Sequence, residues 1–142
     1  MSQENATGEN LYLQVWRNPI FYELLLASVN AEQWQTFTAL AVFMNSKGEC
    51  NPSLSKLKQM LGLSSVASVS RRVTSLEAAR HNGLPLITVT RGGKKQIRGK
   101  FVYTNNSYRI NQNIITIFTP HPSVSTYRRQ QMEEFQLLLH KY

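Results

Sequence analysis

The chain has 142 residues, 42% apolar and 17% charged, enough for one globular domain with a core and too few for a second independent one. No apolar run approaches the roughly 18 to 20 residues of a membrane helix, residues 1–10 lack the basic and apolar segments of a secretory signal, and a single cysteine excludes an internal disulfide, so a soluble protein of the reducing cytoplasm is expected. The formal charge is +8, every acidic residue is a glutamate, and none lies between Glu77 and Glu133, a span that holds Arg80, Arg91, Lys94, Lys95, Arg98, Lys100, Arg109, Arg128 and Arg129; this favours a polyanionic partner, nucleic acid before an anionic membrane surface.

Residues 1–16 read as a polar, flexible N-terminus followed by an extended arm, in which Leu11, Leu13 and Val15 alternate with Tyr12, Gln14 and Trp16. Pro19 suits the first turn of a short helix through Ile20 to Ser28. Val29 and Asn30 then offer a hydrophobic staple and an N-cap for a longer helix over Ala31 to Asn45, with Trp34, Phe37, Leu40, Ala41, Phe43 and Met44 along its inner stripe. Lys47 and Gly48 end it. Ser53 caps a short helix, Leu54 to Leu61, whose inner face is Leu54, Leu57 and Leu61, and Gly62 fits the left-handed position after it. A third helix is expected over Val66 to Asn82, with Val66, Val69, Val73 and Leu76 inward and Gly83 as its stop. The period then changes from 3.6 to 2. Leu84 to Arg91 reads as a strand, Gly92 to Lys100 as a flexible basic loop, and Phe101 to Ile110 as the returning strand. Residues 112–142 read as a linker and a last amphipathic helix, capped by Ser123 or Ser125, with Met132, Phe135, Leu138 and Leu139 on one side.

Helix, short helix, glycine turn, helix and β-hairpin is the order of a winged helix-turn-helix, here an α+β domain over residues 17–111. Projected at 100° per residue, the third helix turns Ala67, Ser68, Arg71, Thr74 and Ser75 away from Val69 and Val73. That face is small and hydroxylated and carries a central arginine. An arginine there can give two hydrogen bonds to a guanine edge, and serine or threonine can meet bases or phosphates. Exposed serine-rich faces with a solvated arginine are also common without any ligand. Arg72, on the flank, is better aimed at the phosphate backbone, and Ser64 and Ser65 at the helix start count among the expected DNA-binding residues. Lys94, Lys95, Arg98 and Lys100 in the hairpin tip would meet backbone or minor groove.

Three stretches carry a resemblance. Gly48 to Ser64, GECNPSLSKLKQMLGLS, resembles the G-x-C-x-P-S and L-G-[IV]-S signature of the helix-turn-helix domain of phage replisome organisers and plasmid replication initiators. Ser68 to Glu77 resembles that family's T-V-x-R-x-[IL]-x-x-L-E, and Thr104 to Ile110 its S-N-x-Y-x-[LI] wing strand. The chain has one more residue than the pattern between Leu63 and Ser68. The resemblance implies that Ser68, Arg71 and Thr74 lie on a recognition helix, 65–82, that Asn106 and Tyr108 are structural, and that Cys50 is a small buried residue in a short strand pairing beside the wing.

The expected function is therefore sequence-specific binding of double-stranded DNA for a plasmid or phage, at a replication origin. A conjugative-transfer accessory protein or a transcription regulator would use the same surface, and a protein-interaction module would act through residues 123–142, on a homodimer partner or a replication or transfer protein. No enzyme is expected. The chain has no aspartate, its glutamates are scattered, and His81, His121 and His140 have no ligand spacing, so no catalytic residue, metal, cofactor or small-molecule substrate is assigned.

Overall fold

A computed structural model describes residues 11–118, and the expected helix over 123–142 lies outside them. Residues 13–117 form one compact unit; Tyr12 and Phe118 belong to a second, where their rings stack at 5.1 Å. The architecture is α+β. No helix among the described residues is long and apolar enough to cross a membrane.

The chain opens with β1 (Tyr12–Val15), α1 (Arg17–Phe21) and α2 (Leu25–Ser28). The single helix expected over Ile20 to Ser28 is thus broken in two. Leu24 takes a left-handed conformation with φ 55°, and the neighbouring Glu23 carboxylate accepts from Asn82 Nδ2 at 2.6 Å and lies 2.7 Å from His81 Nε2. This anchor, made across more than fifty residues of sequence, turns the chain.

Next comes α3 (Ala31–Ala41). Asn30 Oδ1 accepts from Gln33 N while Gln33 Oε1 accepts from Asn30 N, a complete capping box. The helix stops before the expected Asn45 because that residue serves the following turn. Its Oδ1 accepts from the amides of Lys47 and Glu49.

The short β2 (Glu49–Cys50) leads into α4 (Leu54–Leu61), capped by Ser53 Oγ accepting from Lys56 N and closed by Gly62 at φ 66°. Then α5 (Val66–Ala78) presents Val69, Val73 and Leu76 to the core with no exposure, whereas Val66, expected inside, is exposed. Helices α3, α4 and α5 pack on one another.

Helix α5 ends four residues before the expected Asn82. Ala79 is extended, and β3 (Arg80–His81) and β4 (Leu84–Pro85) form a small antiparallel hairpin. Its turn residues, Asn82 and Gly83, have φ 52° and 77°, the positive pair that an Asn-Gly turn supplies. The helix expected over 65–82 therefore spans Val66–Ala78, capped by Ser65.

β5 (Ile87–Thr90) pairs with β8 (Ser107–Ile110), and β8 pairs with β2, giving an antiparallel sheet in the order β2, β8, β5. Cys50, Ile87, Tyr108 and Ile110 face the core from this sheet. Beyond it the chain continues as β6 (Gly93–Ile97) and β7 (Lys100–Thr104), a separate ribbon. Most of the segment expected as a flexible basic loop, Gly92 to Lys100, is thus strand, with Arg98 and Gly99 as the turn. It was hidden because it has no buried face to impose an apolar alternation. Finally β9 (Ile115–Phe118) pairs with β1, so the start of the region expected as linker is strand. One apolar core, built on Leu25, Phe37, Leu40, Leu57, Val73, Leu86 and Tyr108, joins helices and sheet.

Candidate nucleic-acid interface

The surface is built from α5 and the β6–β7 ribbon. On α5, burying Val69, Val73 and Leu76 forces Ala67, Arg71 and Thr74 outward, and all three are exposed. Ser64 is exposed just ahead of the helix. Ser65 Oγ accepts from Ser68 N at 3.2 Å and shares a 2.9 Å hydrogen bond with Ser68 Oγ, which in turn accepts from Arg71 Nη2 at 3.0 Å. Arg71 is thereby held along its helix with most of its five N–H donors still available.

Two of the expected contact residues are engaged elsewhere. Arg72 is 19% exposed at its side chain; Nη1 donates to Gln35 Oε1 at 2.6 Å and Nη2 lies 3.8 Å from Glu32 Oε1. Ser75 Oγ and its carbonyl accept from Gln33 Nε2. Both therefore tie α5 to α3. The flank position read for Arg72 is real, but α3 occupies it.

Glu77, the carboxylate of α5, accepts from Arg91 Nη2 at 2.7 Å. That bond connects the last turn of the helix to the root of the ribbon. Two further contacts shape the root. Gly92 N donates to Asn106 Oδ1, and Asn106 Nδ2 donates to the Tyr108 hydroxyl, inside the fold. A Cβ on Gly92 would stand 2.2 Å from the Thr104 carbonyl oxygen, so no larger residue fits without opening the strands.

The ribbon register pairs Lys94 with Tyr103, Lys95 with Val102, Gln96 with Phe101 and Ile97 with Lys100. Side chains alternate, so one face carries Lys94, Gln96, Phe101 and Tyr103, and the other Lys95, Ile97, Lys100 and Val102. Arg98 and Gly99 form the two-residue tip with φ 52° and 78°. Every residue from Gly93 to Tyr103 is exposed. Reading the returning strand as continuous with the sheet leaves Phe101 and Tyr103 off the list of surface residues; a strand at Gly93–Ile97 pairs with theirs and puts them on the exposed ribbon.

Electrostatically the surface has one sign. Each carboxylate among the described residues has a partner: Glu23 with His81, Glu32 with Arg72, Glu49 with Arg109, Glu77 with Arg91. Arg71, Lys94, Lys95, Arg98 and Lys100 make no ion pair among the described residues. Lys94 Nζ sits 4.0 Å from the centre of the Phe101 ring.

Cys50 is a core residue. It is 7% exposed, pairs with Tyr108 in the sheet, and its Sγ contacts the Leu40 carbonyl at 3.5 Å. Burial pushes its thiol up to about 11, the opposite of what a nucleophilic thiolate needs. Among the described residues no group of three His, Cys, Asp or Glu side chains is gathered as a metal site requires.

No family model, curated protein or solved structure matches the chain.

Proposed function

We propose that this protein is a winged helix-turn-helix that binds double-stranded DNA in a sequence-dependent way, with α5 in the major groove and the ribbon as the wing. The observation that carries the reading is the exposed ribbon, whose Lys94, Lys95, Arg98 and Lys100 lack carboxylate partners and whose root is bonded to the end of α5 through Arg91 and Glu77. The four ribbon cations, which form no ion pair among the described residues, suit phosphates and would make affinity strongly salt-dependent. Arg71 offers base recognition, and Ala67 and Thr74 leave room for a groove wall.

Arg98 adds weight. A non-glycine residue at positive φ carries a conformational cost, and asparagine or glycine is the usual occupant of such a turn position. Keeping a long cation there makes sense if its charge meets a ligand.

The resemblance to replisome organisers and plasmid initiators favours a replication origin of a mobile element as the target. A transfer accessory protein or transcription regulator would share the chemistry and differ in where the site lies.

The test is fluorescence anisotropy on duplexes tiled across the DNA around the encoding gene, titrated at several salt concentrations against a scrambled duplex. One tight, salt-sensitive tile is the expected result, and its position assigns the process. Uniform binding to all tiles would remove the sequence-specific claim. Absence of binding at low salt would remove the DNA reading.

A further inference from the structure

We propose that the ribbon face bearing Phe101 and Tyr103 stacks unpaired bases, so that the protein holds single-stranded DNA as well as duplex. The inference rests on the DNA-binding reading above and deepens it.

The starting point is an arrangement that duplex binding leaves unexplained. Phe101 is 62% and Tyr103 78% exposed, on a ribbon neither of whose faces packs on the core. Phosphate contacts need cations and hydroxyls, which the ribbon has without these rings. Water-exposed aromatic surface is unfavourable. Two such rings side by side imply a ligand with flat apolar faces.

Nucleobases are that ligand, but only when their faces are uncovered. In an intact duplex each base is covered above and below by its neighbours. In an unpaired strand the faces are open, and stacking on aromatic side chains tolerates any sequence. Spacing points the same way. Residues two apart on one strand face stand roughly 6.7 Å apart, about twice the 3.4 Å rise per base of a stacked strand. Phe101 and Tyr103 would therefore take neighbouring bases only from an unstacked, extended chain.

The polar groups complete a nucleotide site. Lys94, opposite Tyr103, holds its ammonium over one face of the Phe101 ring, 4.0 Å from its centre; a base that stacks on that face displaces the ammonium, whose long stem lets it follow to the base's phosphate. Gln96, opposite Phe101, offers an amide with two donors and an acceptor for base edges. Along the ribbon, Lys95, Arg98 and Lys100 extend the positive field, and no carboxylate occurs in the sequence from 78 to 132 to repel the strand. The two faces of the ribbon thus differ: one aromatic, the other aliphatic and basic.

The test compares the full chain with F101V/Y103V, which puts β-branched residues suited to the strand in their place, and with F101W/Y103F, which keeps the rings. Thermal unfolding checks that each variant is folded. Fluorescein-labelled oligo-dT and a labelled duplex of equal length are titrated in parallel, and an oligonucleotide containing 2-aminopurine reports stacking directly. The expected result is a loss of about 10- to 100-fold in oligo-dT affinity for F101V/Y103V, with duplex affinity within about threefold and near-native behaviour for F101W/Y103F. The 2-aminopurine signal should change on binding the native chain and not the valine variant.

Unchanged oligo-dT affinity in a folded F101V/Y103V overturns the proposal while duplex binding by the same protein leaves the DNA reading standing. An equal loss on both probes also overturns it, since the rings would then serve duplex binding in general. Failure of the native chain to bind either probe removes both readings. If the valine variant instead loses sedimentation with vesicles of phosphatidylserine and phosphatidylcholine, or loses a dimer seen by solution mass, with oligo-dT binding unchanged, the rings belong to a membrane or to a second copy, and the proposal fails.

Discussion

Glu77 on α5 accepts a 2.7 Å hydrogen bond from Arg91, the residue at which the chain leaves the central sheet for the ribbon. The bond spends one cation and the carboxylate of α5 on joining the two parts of the proposed interface. Both side chains are partly exposed, so the pair contributes at most about 1 kcal/mol to stability. Glu77→Gln should therefore leave the melting temperature nearly unchanged. It should raise affinity for random DNA and steepen the salt dependence by about one counterion, because Arg91 is released. Salt titrations of the variant and the native chain measure this; identical slopes would mean that Arg91 lies away from the DNA.

Neighbouring arginines on α5 should behave differently. Arg71 is exposed and held only by Ser68, whereas Arg72 is fixed between Gln35 and Glu32. Arg71→Ala is expected to weaken the cognate duplex by about 1–3 kcal/mol with little change on random DNA or in stability. Arg72→Ala should lower stability by about 1–2 kcal/mol through its charge-assisted bond to Gln35 and affect both duplexes alike. Paired binding curves and denaturant melts separate the two roles. A selective loss of cognate binding in the Arg72 variant would reverse the assignment.

This division shows where the sequence was legible. The capping box at Asn30, the Ser53 cap and the Gly62 stop depend on residues three or four apart, and the inner stripe of α5 on its own periodicity; all can be seen in one stretch of chain. The cationic span that includes Lys94 to Lys100 is likewise visible as composition. The engagement of Arg72 and Ser75 is not, because it depends on Gln33 and Gln35 of another helix. Nor is the anchor of Glu23 on His81, which breaks the first helix from far along the chain. The end of α5 is readable in one stretch of chain: Asn82 and Gly83 form a turn pair, whereas a reading that carries the helical period through Asn82 and takes Gly83 only as its stop overruns the helix. Strand β6 had no buried side to reveal it.

Arg98 separates charge from conformation. Its φ of 52°, followed by Gly99 at 78°, is the pattern for which Asn-Gly is best suited. Arg98→Asn should keep or improve the turn, by up to about 1 kcal/mol, while removing one cation from the tip. The expected outcome is equal or higher amide protection along the ribbon together with weaker binding on all DNA and a flatter salt slope. Unchanged affinity would show that the tip does not touch the ligand.

Alkaline pH tests the buried pair of Cys50 and Tyr108. Burial raises the Cys50 thiol from 9.0 to about 11. It also raises the Tyr108 phenol, partly offset by the hydrogen bond from Asn106. Both groups keep their protons longer in the folded chain than in the unfolded one. Their contribution is therefore whole below pH 9 and is lost as pH rises through the folded values, by up to about 2–3 kcal/mol for the thiol. Denaturant melts between pH 8 and 11 should show this fall, and Cys50→Ala should flatten it, with Tyr108→Phe acting in the same direction. A slope that survives both substitutions would assign the loss to other groups.

Gly92 is where the ribbon departs from the sheet, and its lack of a side chain is what lets the two strands close there. An added Cβ would meet the Thr104 and Asn105 carbonyl oxygens at 2.2 and 2.3 Å, both of them backbone and unable to rotate away. Gly92→Ala must therefore shift the strands apart at the root and disturb the donation from Gly92 N to Asn106. Because the ribbon rests on no core, the damage should stay local: the central sheet keeps its ladder between β5 and β8, while a two-stranded ribbon, marginal by itself, loses its register at the base. Hydrogen exchange is the measurement. Amides of residues 93–104 should lose protection while those of 87–90 and 107–110 keep it, and salt-dependent binding should weaken with no large change in the cooperative melt. If protection falls throughout, the ribbon and the core unfold as one unit, and the ribbon's shape is then set by the whole domain rather than by its root.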